Sequence, residues 1–163
     1  MQVINQIQQT GLVPVVRIDD ASRAVPLARA LVAGGLPCAE ITFRTAAGEE
    51  AIRRIAADCP DILLGAGTVL TCEQAARAAE AGAAFVVSPG FNPRVVDYCL
   101  EHGILIVPGC ATPSDMEQAL ERGLDVVKFF PAEQAGGLAY IKAVAAPYTT
   151  LRFMPTGGIN AGN

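Results

Sequence analysis

The 163-residue chain is 52% hydrophobic and 17% charged, enough apolar material for one sizeable core and too short for two ordinary domains, so residues 1–163 are expected to form a single domain. Twelve basic against 16 acidic residues give a net charge of −4, with no basic stripe to neutralise a phosphate backbone, so nucleic acid is not an expected partner. No run is long and apolar enough to span a bilayer, and the polar stretch from Met1 to Gly11 lacks the pattern of an export signal; no membrane partner and a cytoplasmic location are expected.

In chain order, seven short runs rich in β-branched and apolar residues read as strands: residues 12–18, 38–44, 63–69, 85–88, 104–108, 126–130 and 151–155. Helix ends are marked between them. Thr71 with Gln74 has the form of a capping box, Asn92-Pro93 and Thr112-Pro113 each pair an N-cap residue with proline at the first helical position, and Gly34, Gly82, Gly103 and Gly123 stop helices. The only histidine, His102, precedes Gly103, where a positive charge suits a helix C-terminus. A lone imidazole supplies neither a serine–histidine triad nor a His-ligated zinc, and no metal site is expected. Five scattered cysteines without a CxxC spacing (Cys38, Cys59, Cys72, Cys99, Cys110) read as reduced core or helix residues.

Strands alternating with helices imply parallel strands and right-handed crossovers, hence a closed (β/α)8 TIM barrel or an open doubly wound sheet. Polar or glycine-rich clusters follow nearly every strand, at Arg44-Thr45, Gly67-Thr68, Ser88-Pro89-Gly90, Pro108-Gly109, Lys128 with Pro131, and Thr156-Gly157-Gly158. An open sheet concentrates its site at one switch point, whereas a barrel assembles it from many strand ends, so the barrel is expected. No GxGxxG follows the first strand, which leaves a dinucleotide fold without its fingerprint. Only seven strands are present, with Asn160 placed to begin the next helix; the eighth is absent from the sequence, leaving the edges of strands one and seven unpaired.

Lysine is scarce: Lys128 and Lys142 stand against ten arginines. Lys142 fits an exposed helix beginning near Gly137. Lys128 interrupts the run Val126-Val127-Lys128-Phe129-Phe130-Pro131, so that apolar residues occupy both faces of its strand. Burial there disfavours the ammonium and lowers its pKa, which makes a nucleophilic amine; the alternative is a structural ion pair. In the second strand Glu40, Thr42 and Arg44 share one face and Ile41 and Phe43 the other, so the polar face is expected to point inward. A carboxylate, a hydroxyl, a guanidinium and a lysine in one interior point to a site rather than a plain core. Thr156-Gly157-Gly158 ahead of a helix capped by Asn160 would offer backbone N–H groups to an anion, with a plain glycine turn as the alternative.

Taken together, Glu40-Ile-Thr-Phe-Arg-Thr45, Gly65-Ala-Gly-Thr68, Ser88-Pro-Gly90, Pro108-Gly109, Lys128-Phe-Phe-Pro-Ala-Glu133 and Pro155-Thr-Gly-Gly158 resemble the successive motifs of the class I 2-keto-3-deoxy-6-phosphogluconate and 4-hydroxy-2-oxoglutarate aldolases. The resemblance implies that Lys128 forms an imine with a keto acid, that Glu40 is general acid and base, and that Arg44 with Thr68 receives the pyruvate carboxylate. Pro89 and Phe130 would pack around the reacting carbons. Gly157 and Gly158 with Thr156 would hold phosphate, and Arg17 would either reach the distal end of the sugar acid or form a salt bridge on the rim. A small keto acid partner, no cofactor and a homotrimer are also implied. Two other readings remain, a non-catalytic phosphate-binding barrel and a phosphate-barrel epimerase or isomerase.

Overall fold

The computed structural model describes residues 2–163. Helix α1 (Gln2–Thr10) leads into β1 (Val15–Val16), and a short 3-10 turn (Ala21–Arg23) precedes α2 (Ala24–Ala33). There follow β2 (Cys38–Thr42), α3 (Gly48–Asp58), β3 (Leu63–Gly67), α4 (Cys72–Glu80), β4 (Phe85–Val87), α5 (Pro93–Glu101), β5 (Ile106–Val107), α6 (Pro113–Glu121), β6 (Val126–Phe129), α7 (Gly137–Ala145) and β7 (Arg152–Pro155). All strands pair in parallel and in chain order, β1 through β5 in one sheet and β6 with β7 in another. A parallel bridge between Gly109 and Lys128 joins the two sheets into one curved wall. β1 and β7 are not hydrogen-bonded to each other among the described residues, so the wall stays open along that seam.

The two-residue period divides each strand between two environments. On the outer face Ala39, Ile41, Leu64, Ala66, Val86 and Ile106 form one cluster with Ala24 and Ala28 of α2, Ile52 and Ile55 of α3 and Val95 and Val96 of α5. Val127 packs with Met116 and Ala119 of α6 and Val144 of α7, while the Phe129 ring stacks on Tyr140 at 5.5 Å between centroids. On the inner face Cys38, Phe85, Val87 and Val107 form a separate cluster, joined by Leu63, Leu105, Val126 and Met154. Each fully buried Val, Ile or Phe side chain contributes on the order of 1.5–3 kcal/mol through its removal from water.

Local sequence accounts for the helix starts. Thr71 Oγ1 accepts from the Gln74 N–H at 3.1 Å, but Gln74 Oε1 reaches back one residue further than a capping box requires, to the Leu70 N–H at 2.7 Å. The reciprocal box forms at α6 instead, between Thr112 and Asp115. Asn92 caps α5 by accepting from the Arg94 N–H. His102 ends α5, its Nδ1 2.8 Å from the Tyr98 carbonyl and its ring stacked on Tyr98.

All seven strands are shorter than the expected runs, most of all β1 and β5, which edge their sheet. Asn160 Oδ1 accepts from the Gly162 N–H, two residues on, and its Nδ2 donates to the Gly158 carbonyl. Helix α1 was unexpected; Val3, Ile4 and Ile7 pack it against the inner cluster.

Candidate active site

Glu40 and Lys128 meet inside the wall, on the inner faces of β2 and β6. Lys128 Nζ lies 3.5 Å from Glu40 Oε1, and the two residues are 5% and 1% exposed. The backbone of Lys128 is tied to the end of β5, its N–H donating to the Pro108 carbonyl at 2.9 Å and its carbonyl accepting from the Cys110 N–H at 2.8 Å. The other carboxylate oxygen, Glu40 Oε2, is buried without a hydrogen-bond partner. An unpartnered buried carboxylate oxygen is costly to keep charged, so it either carries a proton or awaits a donor from a ligand.

Electrostatics push both groups towards neutrality. Burial raises the Glu40 carboxyl above its usual range, and Lys128 and Arg44 offset only part of that rise. Burial lowers Lys128 below the usual lysine value; Glu40 opposes the change and the Arg44 charge adds to it. A neutral amine beside a neutral carboxyl is a nucleophile beside a proton donor, and the reverse transfer makes a cation beside a base.

Among the remaining predicted residues, Phe130 stands beside the pair, its ring centre 5.4 Å from Lys128 Nζ, while the Pro89 carbonyl lies against Gly109, whose backbone is bridged to that of Lys128. Ser88 Oγ donates to the Gly90 carbonyl at 2.9 Å and holds this loop in place. Thr68 follows β3 in a left-handed conformation, φ 58°, a strain of a kind that concentrates where function demands it. Thr156, Gly157 and Gly158 continue β7, cross-linked to the loop after β6 by the Ala132 N–H to Thr156 carbonyl and Glu133 N–H to Gly157 carbonyl bonds.

Arg44 sits in the turn just beyond β2, exposed, with its charge felt by both Glu40 and Lys128. Thr42, buried as expected, donates its hydroxyl to the Val16 carbonyl and pins β2 to β1. Arg17 forms an exposed salt bridge with Asp19 at 2.9 Å, the rim reading of that residue. Sequence reasoning singled out Gly65 and Gly67 as part of a motif without giving them a role; their missing side chains leave room on the inner face for the Phe85 ring and the Glu40 carboxylate, and nothing in the spacing of a single strand reveals a neighbour that leans across from the next.

A cavity of about 750 Å³ opens along the seam between β1 and β7, lined among others by Glu40, Val15, Met154, Thr156, Gly157 and Gly158. It joins the buried carboxyl to the glycine-rich turn after β7. No cluster of three or more His, Cys, Asp or Glu side chains suited to a metal occurs among the described residues.

These features define an α/β protein of the barrel type with a lysine–carboxylate pair at its centre. A family profile described as KDPG and KHG aldolase matches residues 3–163. The 2-dehydro-3-deoxy-phosphogluconate aldolase of Treponema pallidum is 56% identical over 161 residues, covering 99% of this chain and 77% of that protein. Among solved structures, the 2-keto-3-deoxy-6-phosphogluconate aldolase of Zymomonas mobilis with 3-phosphoglycerate superposes with a TM-score of 0.92 at 40% identity, over 97% of this chain and 75% of that one. The KDPG aldolase of Legionella pneumophila, with pyruvate captured as a covalent carbinolamine, gives a TM-score of 0.90 at 39% identity, over 93% of this chain and 73% of that one. The chain belongs to the KDPG and KHG aldolase family.

Proposed function

We propose that this chain is a Schiff-base aldolase that cleaves 2-keto-3-deoxy-6-phosphogluconate to pyruvate and glyceraldehyde 3-phosphate, or 4-hydroxy-2-oxoglutarate to pyruvate and glyoxylate. The observation that carries the assignment is the buried Lys128–Glu40 pair, 3.5 Å apart, with both groups displaced towards their neutral forms. The relatives' names supply the substrates.

In this mechanism the Lys128 amine attacks the C2 carbonyl of the keto acid, Glu40 gives its proton to the departing oxygen, and water leaves, so that an iminium stands beside the Glu40 carboxylate. That carboxylate takes the proton of the C4 hydroxyl, the C3–C4 bond breaks, and its electron pair moves into the iminium to give an enamine while the aldehyde departs. Glu40 then returns the proton to C3, and hydrolysis of the iminium frees pyruvate and the amine, the released proton going back to Glu40. Arg44, at the mouth, and Thr68 receive the substrate carboxylate, for which a planar guanidinium offers two parallel hydrogen bonds. Phe130 and Pro89 bound the space around the reacting carbons. Thr156, Gly157 and Gly158 form the phosphate end, where a glycine-rich turn offers backbone N–H groups to an anion, and Arg17 stays on the rim in its salt bridge with Asp19.

The parallel chain-order strands and the slot between β1 and β7 support reading the architecture as a (β/α)8 barrel of which this sequence supplies seven strands. A single domain, a homotrimer and a cytoplasmic location complete the proposal; no helix is long and apolar enough to cross a membrane. The deciding experiment is incubation with pyruvate, reduction with borohydride and peptide mass analysis. A reduced adduct on Lys128 is expected, and a folded chain that stays unmodified overturns the assignment.

A further inference from the structure

We infer that Gly67 is a positioning residue for the lysine–carboxylate pair: by lacking a side chain it leaves the interior space in which Glu40 holds its carboxyl beside Lys128. This rests on the aldolase reading and extends it to a residue that touches neither substrate nor amine. A Cβ built at position 67 would stand 2.6 Å from both Cγ and Cδ of Glu40 and closer still to Oε1. Oε1 is also the oxygen that faces Lys128 Nζ. The atom a methyl group would displace is therefore the one that makes the pair.

The backbone gives no other reason for glycine here. Gly67 closes a regular strand, in register with Thr42 and accepting from the Phe43 N–H at 2.8 Å, and its φ lies outside the left-handed range. Glycine weakens a strand interior and tends to mark a close approach by another group; here that group is the Glu40 carboxyl. A methyl at 67 would move the carboxyl without unseating Lys128, whose backbone is fixed from β5. Gly65, two residues earlier on the same face, makes room for the Phe85 ring instead, where an added Cβ would come 2.7 Å from Cε1.

The test compares the parent chain with Gly67→Ala and Gly65→Ala in two assays, borohydride trapping of pyruvate and exchange of the pyruvate methyl protons into deuterium oxide followed by NMR. In the parent both should occur; if the folded parent traps no pyruvate, the aldolase reading itself fails. Gly67→Ala is expected to trap pyruvate as the parent does while its methyl exchange falls by on the order of 10²-fold, the scale of a displaced general base. Gly65→Ala is expected to lower stability without separating trapping from exchange. Exchange in Gly67→Ala at the parent rate overturns the inference, as does a parallel loss of both assays. Should Gly67→Ala not fold, denaturation of Glu40→Ala and Glu40→Ala/Gly67→Ala decides. Equal stability of these two upholds the clash with Glu40, and a double variant that stays unfolded overturns it.

Discussion

Lys128 Nζ faces Glu40 Oε1 across the interior at 3.5 Å, while Glu40 Oε2 has no partner. One oxygen is thus committed to the amine and the other is free for a substrate hydroxyl, the arrangement that a proton shuttle beside an imine requires.

Removing the amine isolates a buried acid. Lys128→Met should abolish the pyruvate adduct and make stability fall as pH rises. Burial already raises Glu40 above its ordinary value of 4.5, and losing the lysine removes the main opposing influence. The folded state then binds more protons than the unfolded one, so the stability is fully present below the unfolded pKa and is lost as pH climbs through the folded one. Where the lone carboxyl is forced to ionise, the penalty should approach about 3–5 kcal/mol. Urea denaturation of parent and variant at pH 5 and pH 8 measures it; a pH-independent difference would contradict the assignment of the buried charge.

The amine should react far below the pH at which an ordinary lysine does. Burial lowers Lys128 from its usual 10.5, so the initial rate of borohydride trapping should hold well under that value and decline only as pH drops through the lowered pKa. The linked stability has the opposite sense to that of Glu40: between the folded and unfolded values the unfolded chain binds more protons, so the contribution of this group rises with pH across the window. A trapping profile with its midpoint at 10.5 would place the amine in water.

Glu40→Gln keeps the shape and removes the titration. Imine formation should survive, while cleavage and exchange of the pyruvate methyl protons slow by roughly 10²–10⁴-fold, the usual contribution of a positioned acid–base group. Equal exchange rates in variant and parent would strip Glu40 of its role.

Arg44 is exposed and forms no ion pair among the described residues, so its removal should spare the fold. Arg44→Ala is expected to change stability by no more than about 0.5 kcal/mol. It should raise KM for keto acids by roughly tenfold or more, since a charge-assisted hydrogen bond is worth about 1.5–3 kcal/mol. Steady-state kinetics alongside thermal denaturation tests both halves.

Thiol chemistry offers a check on the core. Burial pushes Cys38 and Cys99 up to about 11 and Cys110 up to about 12, and Cys59 is buried as well. A disulfide reagent at pH 8 should therefore modify Cys72 first in the native chain, and the other four only on unfolding. Early labelling of Cys38 would show the inner cluster to be open to solvent.

Much of the frame was legible in the sequence because strand alternation is a local signal. Every expected strand is present, and the inward placement of Glu40 and Thr42 followed from their two-residue spacing in β2. Arg44 follows two residues after the end of β2 and its charge still reaches Glu40 and Lys128. Helix α1 had its signal in the spacing of Val3, Ile4 and Ile7, hidden by the polar residues around them. The approach of Gly67 to Glu40 depends on how β3 lies beside β2, a relation between strands that no single stretch of sequence carries. At Asn160 the cap chemistry was legible too: its side chain accepts the backbone N–H of Gly162, two residues on.

Both main-chain groups of Lys128 are held by the strand beside it, from Pro108 on one side and Cys110 on the other. The nitrogen therefore swings from a stationary hinge, with only its own side-chain torsions left to settle, and burial has already narrowed those. Covalent capture of a carbonyl then freezes little that was still moving, and binding energy from the far end of the ligand can go into aligning the bond that breaks.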